Sequence, residues 1–247
     1  MRFLVLGPLS LQDGDERRIN AAKPRGLLAV LLINANQVVT VDRLIDELWG
    51  ERPPPTACNL IRQYISQVRK VLPVGAGDGA ELRTHAAGYM LTLGRTSLDA
   101  AEFEHLAHHA RAQLSGDRPA EARATIGRAL RLWRGSAFAD VPTGPSAAAE
   151  RLRLDELHSS VRELSAEADL AAGHLSEAIG ELTVLTAHFP LHERPYLLLM
   201  RALSRAGRKA DALAVYRSAR NTLVSEVGLE PGLELRDAER QILALAG

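Results

Sequence analysis

Residues 56–72, TACNLIRQYISQVRKVL, decide the reading of this chain, because one helix there combines an apolar back with a cationic, amide-rich front. At the helical period Leu60, Ile61, Ile65, Val68 and Leu72 fall on one side and can enter a core. Arg62, Gln63, Ser66, Gln67, Arg69 and Lys70 fall largely on the other. Arg and Gln are the side chains best shaped for paired hydrogen bonds to purine edges in a DNA major groove. Pro53-Pro54-Pro55 stops any helix before this one, and Thr56 is placed to cap it. An ordinary amphipathic surface helix has the same pattern, so the flanking segments must decide.

Upstream, Arg2–Leu6, Leu9–Leu11 and Arg17–Ile19 read as short strands punctuated by Gly7-Pro8 and Gly14. Residues 24–35 form a strongly apolar helix opened by Pro24, a residue tolerated in the first turn. Val38-Val39 is an extended link. Thr40 then caps the helix VDRLIDELW, whose Leu44, Ile45, Leu48 and Trp49 face inward and which Gly50 ends. Downstream, a Gly-rich turn at 75–79 precedes a hairpin of Glu81–Thr84 and Tyr89–Leu93 joined through His85-Ala86-Ala87-Gly88. A capped helix, a tight link, a helix with a polar outer face and a hairpin, in that order, make a winged helix-turn-helix, whose second helix enters the major groove.

From Asp99 onward no strand signal remains. Asp99 and Glu102 form a capping-box-like start in which each satisfies an orphan amide of the helix. Within the helical half, Ala172-Gly173 recurs at Ala206-Gly207, Ala178-Ile179 at Ala212-Leu213, Leu182 at Tyr216 and Leu185 at Ala219, all 34 residues apart. That is the tetratricopeptide period, with Gly at the turn and Ala where two helices approach closely. A more degenerate unit begins at Gly116 or Asp117 and carries Ala122, Leu130 and Trp133. The expected architecture is mainly α: an α+β winged helix over 1–95, then an all-α tetratricopeptide-like domain over 99–247. Such helical-repeat scaffolds bind proteins or themselves.

Net charge is zero over 247 residues, but residues 1–98 carry 12 Lys+Arg against 9 Asp+Glu, a net of +3, which leaves −3 for the remainder. A mildly basic front and acidic body suit a DNA binder joined to a helical partner domain. Cys58 is the sole cysteine, so no intrachain disulfide or cysteine-rich zinc site can form, and its size fits a packing role. The opening MRFLVLGPL is too short an apolar run for a signal peptide, and no stretch approaches the roughly 18 apolar residues of a membrane span. A cytoplasmic, nucleoid-associated protein with no membrane partner is the expectation. No phosphate loop, dinucleotide fingerprint, HExxH or GxSxG occurs, so neither an enzyme nor a cofactor is expected. His105 and His109 supply half a metal-ligand spacing with no third ligand nearby, which fits a solvated face better than a metal site.

Several stretches, RFLVLGPL, KPRGLLAVLLINANQVVTVDRLIDELWG, NLIRQYISQVRKVL, AAGYML, LRLWRG, FPLHERPYLLLMRALSRAGRKADALAVYRSARNTLVSEVGLEPG and LELRDAERQIL, occur in an order that resembles the Streptomyces antibiotic regulatory proteins end to end. The resemblance is to the short members, which end without ATPase or sensor modules. It implies a transcriptional activator of antibiotic biosynthesis genes, with a response-regulator-type winged helix and a bacterial transcriptional activator domain. It also implies binding to promoter direct repeats in double-stranded DNA by two molecules placed head to tail, and recruitment of RNA polymerase holoenzyme through its sigma factor. On this pattern Asn59, Arg62, Gln63, Ser66, Gln67 and Arg69 are candidates for base edges or flanking phosphates. Lys23, Arg25, Arg43, Lys70 and the amides at the Thr40 helix start are candidates for phosphate positioning. Arg83 and His85 belong to the wing, with Tyr89 packed beneath it. Gln67 stands where relatives commonly carry a basic residue, which bears on the operator sequence. A competing reading is a helical-repeat adaptor or ligand sensor whose winged helix docks protein.

Overall fold

The computed structural model describes residues 2–72, 80–94, 98–142 and 144–244; the Gly-rich turn expected at 75–79 lies outside them. The chain divides into two compact units, one of Met1–Leu106 with Ala129–Leu157, the other of Ala107–Arg128 with His158–Gly247.

Unit 1 opens with an antiparallel sheet of β1 (Arg2–Leu4), β2 (Ser10–Asp13) and β3 (Asp15–Arg17). The first strand is shorter than its apolar run because Val5 and Leu6 bond elsewhere. Their amides donate to the Asp99 carboxylate at 2.8 and 3.1 Å. Their carbonyls accept from Phe138 at 2.8 Å and from Arg134 at 2.7 Å. Leu9 N donates to Asp140 Oδ1 at 2.7 Å, and Phe3 bridges in parallel to Leu98. The N-terminal run is thus threaded between two segments from beyond residue 97. Asp99 is not half of a local capping box. It is 1% exposed and closes a long-range junction, while Glu102 pairs with Arg2 at 2.6 Å. Burial raises the Asp99 pKa, opposed by the two amides and by Arg134, whose guanidinium lies 3.8 Å away.

Helix α1 (Ala22–Ile33) is buried along most of its length because Leu27, Leu28, Val30, Leu31 and Leu32 leave it almost no polar face. Short β4 (Val39–Thr40) leads into α2 (Val41–Trp49), and Thr40 Oγ1 accepts from Arg43 N at 3.2 Å as the predicted cap. Gly50, at φ 60°, ends α2 as expected. Residues 50–56 then form a Pro-rich link longer than the tight one anticipated. Helix α3 (Ala57–Val71) follows; Thr56 makes no capping hydrogen bond, because its ψ of 12° already turns it towards the helix. The hairpin is β5 (Glu81–His85) and β6 (Gly88–Thr92), with Ala86-Ala87 as its turn. Strand β4 pairs with β6 through Val39–Tyr89 and Thr40–Gly88. Gly88 is required there, since a Cβ would lie 2.0 Å from the Val39 carbonyl oxygen. Tyr89 is buried beneath the hairpin.

Helices α4 (Asp99–Ser115), α5 (Pro119–Leu130), α6 (Pro145–Ala172), α7 (Leu175–His188), α8 (Glu193–Arg205), α9 (Lys209–Val227) and α10 (Leu233–Ala244) complete the described chain. In unit 2 the 34-residue period is visible atom by atom. Gly173 and Gly207 are both left-handed, at φ 83° and 77°. The next amides, of His174 and Arg208, each bond at 2.8 Å to the matching carbonyls of Asp169 and Leu203. Ala178 and Ala212 are fully buried at the close approach, with Leu182 or Tyr216 and Leu185 or Ala219 in the following turns. The degenerate unit is a third copy. Asp117 occupies the left-handed position at φ 55°, and Arg118 N bonds to Gln113 O at 3.0 Å. Ala122 fills the buried alanine position; Ile126 and Ala129, rather than Leu130 and Trp133, continue the pattern. Trp133 packs edge-on to Phe103 inside unit 1, with ring centroids 5.4 Å apart.

Candidate nucleic-acid interface

Helix α3 contains no Asp or Glu, so its outer face carries uncompensated positive charge among hydrogen-bonding amides. Ala57, Ile61, Ile65 and Val68 bury its inner face. Asn59, Arg62, Gln63, Ser66, Gln67, Arg69 and Lys70 are all exposed, as the period required. Arg62 Nη1 donates to Asn59 Oδ1 at 3.3 Å, one turn back, which restrains the guanidinium along the helix. Cys58 is exposed in the first turn and does not fill the packing role its size suggested, because the buried positions flanking it are Ala57 and Ile61.

The predicted contact residues separate into two groups. On α3, Asn59, Arg62, Gln63, Ser66, Gln67 and Lys70 form one continuous outer face. Arg69 departs from it: Nη2 donates to Thr84 Oγ1 at 2.7 Å and to the Leu82 carbonyl at 3.3 Å. Its guanidinium ties α3 to the wing. The two arginines of Arg62 and Arg69 are therefore not equivalent, although both lie on the polar side of one helix.

Lys23 and Arg25 are also engaged within unit 1. The Lys23 ammonium donates to the Leu48 carbonyl near the C-terminal end of α2, where a cation is favourable. It also lies 5.4 Å above the Trp49 ring, which itself stacks on Tyr64 at 6.2 Å. This cation–ring–ring arrangement fixes the end of α2 against α3. Arg25 donates to the carbonyls of Ile19 at 2.9 Å, Asn20 at 3.1 Å and Asp140 at 2.8 Å, and pairs with the Asp140 carboxylate at 3.3 Å. Its contacts join the N-terminal segment to the residue-140 segment.

At the start of α2, Thr40 takes the Arg43 amide and Ala87 O takes the Val41 amide at 3.3 Å. Asp42 in the first turn opposes an anion there. The exposed Arg43 donates to Ser146 Oγ at 3.4 Å, while Ser146 N donates to Glu47 Oε2 at 3.0 Å. On the wing, Arg83 pairs with Glu81 at 2.6 Å, and this hydrogen bond holds the Glu81 carboxyl below its ordinary range. His85 is exposed at the end of β5. The Lys23–Trp49–Tyr64 stack, the Arg69 tie and the Glu47–Ser146 pair were not apparent from sequence. Only Trp49, an inward-facing aromatic at the end of an amphipathic helix, offered a signal.

Among the described residues no three His, Cys, Asp or Glu are grouped to hold a metal ion, and no helix is long and apolar enough to cross a membrane. His105 and His109 are each exposed on α4.

Residues 19–91 match the family described as transcriptional regulatory protein, C terminal, and residues 98–243 match the bacterial transcriptional activator domain. The chain is 42% identical to regulatory protein AfsR of Streptomyces griseus across 98% of its own length but 24% of that protein. It is 37% identical to regulatory protein DnrI of Streptomyces peucetius, across 98% of this chain and 92% of that one. A solved structure of Mycobacterium tuberculosis EmbR in complex with a low-affinity phosphopeptide superposes with a TM-score of 0.90 at 31% identity, over 99% of this chain and 65% of that one. With a winged helix and tetratricopeptide-like helices matched in the same order along its length, the chain belongs to the Streptomyces antibiotic regulatory protein family.

Proposed function

We propose that this protein is a sequence-specific transcriptional activator of a secondary-metabolite gene cluster, acting in the cytoplasm at the nucleoid. In this reading α3 lies in the major groove of promoter direct repeats, two molecules bind head to tail, and the helical half recruits RNA polymerase holoenzyme through its sigma factor. The observation that carries it is the acid-free outer face of α3, where Asn59, Arg62, Gln63, Ser66, Gln67 and Lys70 stand together. Family membership supports the activator role. Within this scheme Asn59, Arg62, Gln63, Ser66 and Gln67 read base edges, while Lys70 and Arg43 meet phosphates. Arg83 and His85 approach the flanking backbone. Lys23, Arg25 and Arg69 act indirectly, by holding α2, the junction and the wing in place.

The test is a competition binding assay with DNA upstream of the neighbouring biosynthetic genes, run at two salt concentrations. Arg62→Ala should lose roughly 1–3 kcal/mol of discrimination between operator and random DNA. Lys70→Ala should weaken both alike and lower the salt slope by about one. Equal losses on both DNAs for Arg62→Ala would remove that residue from base readout.

A further inference from the structure

Unit 2 carries a groove of about 540 Å³ lined by the C-terminal part of α6, one face of α8, and α10. A second, of about 500 Å³, lies between α4, α6 and α8. The two share Glu167 and Arg194, so they form one continuous trough along the first helices of successive repeats. This is the side that stacked helical repeats offer as an extended binding surface.

The charges along the trough are unequal. Glu167 and Glu163 both pair with Arg194, the latter at 3.7 Å, so the cation in the middle is already taken up by carboxylates. Towards α10, Arg201 and Arg205 follow Arg194 at helical spacing on the same face of α8. Arg205 donates to the Leu170 carbonyl at 2.7 Å and has no carboxylate partner among the described residues. Arg201 is exposed and has no hydrogen bond or ion pair among them. Between and beside these cations Leu170, Leu198, Ala238 and Ile242 supply an apolar floor.

We propose that this trough binds an acidic peptide segment of another protein, with a large apolar side chain seated on Leu198 and Ile242 and carboxylates facing Arg201 and Arg205. Charge complementarity selects an acidic occupant, since the α10 end presents two cations with no acidic partner among the described residues. The continuation past Glu167 and Arg194 into the second groove favours an extended chain over a compact ligand. The proposal goes beyond DNA binding and does not depend on it: every residue it uses lies in unit 2.

The test pans a random twelve-residue phage-displayed peptide library on the full chain, then measures anisotropy with the enriched peptides. Enriched sequences should place Asp or Glu beside a Leu, Phe or Ile. Arg201→Glu should weaken them roughly tenfold or more, since it sets a like charge against the peptide. Because Arg201 is exposed, this variant should keep its fold, which circular dichroism checks. Arg62→Ala should leave peptide binding unchanged, which separates the trough from the α3 face. Replacing the apolar anchor of a peptide with Ser should weaken it by a similar factor. Several outcomes would overturn the proposal: no enrichment, enriched peptides without acidic residues, or binding indifferent to Arg201→Glu. So would full displacement of the peptide by equimolar citrate, which would assign the site to a small anion.

Discussion

Unit 1 and unit 2 hold themselves together in opposite ways. In unit 1 the decisive bonds join residues far apart in sequence: Val5 to Asp99, Leu9 to Asp140, Arg25 to Asp140. In unit 2 the same helix–turn–helix contacts recur at short range, with left-handed turns at Asp117, Gly173 and Gly207. A repeat distributes its stability over many similar contacts. A threaded junction concentrates it in a few. Single substitutions should therefore be felt very differently in the two units.

The sharpest contrast is expected at Asp99. Asp99→Ala leaves the Val5 and Leu6 amides without their buried acceptor, and each unsatisfied group costs roughly 1–3 kcal/mol. Urea unfolding should show a loss of about 4 kcal/mol, and a loss under about 1 kcal/mol would mean that the junction carries little of the stability of unit 1.

The turns of unit 2 should respond more gently and in both directions. A Cβ at Gly173 or Gly207 would meet nothing within 4 Å, so only the left-handed backbone resists it. Gly173→Ala and Gly207→Ala should each cost about 1 kcal/mol. Asp117→Gly should stabilise the protein by up to about 1 kcal/mol, because it relieves that strain. If Asp117→Gly proved destabilising by a similar amount, Asp117 would not be the strained counterpart of the two glycines.

The last effect depends on pH and is silent near neutrality. Burial first, then the Arg162 guanidinium, pushes the His158 imidazole down from 6.5 to about 4. The unfolded chain therefore takes up this proton before the folded chain does. The stabilisation from neutral His158 is complete above about pH 6.5 and is lost as pH falls through that window towards 4. A melting series over this range should show His158→Gln with a shallower decline than the parent protein; parallel declines would remove His158 as a source of acid sensitivity.

What the sequence made legible follows the same division. The faces of α3, the Thr40 cap, the wing and the 34-residue period are local or periodic, and the structure has them within a residue or two. Asp99 looked like a helix cap because its local context is that of a cap; nothing nearby reveals that Val5 and Leu6 will arrive. Lys23, Arg25 and Arg69 looked like candidates for phosphate or base contact because charge is readable in a sequence. The partner that occupies each charge is not: Leu48, Asp140 and Thr84 lie 25, 115 and 15 residues away.

The junction also bears on how such proteins can be recombined. The two family matches meet between residues 91 and 98, which suggests a natural place to exchange one winged helix for another. A crossover there would leave Val5, Leu6, Leu9 and Arg25 from one parent facing Asp99, Arg134 and Asp140 from the other. Hybrids should inherit a working interface when both parents keep that set. Otherwise Asp99, Arg134 and Asp140 must be carried over with the winged helix as a set, so that the junction travels whole.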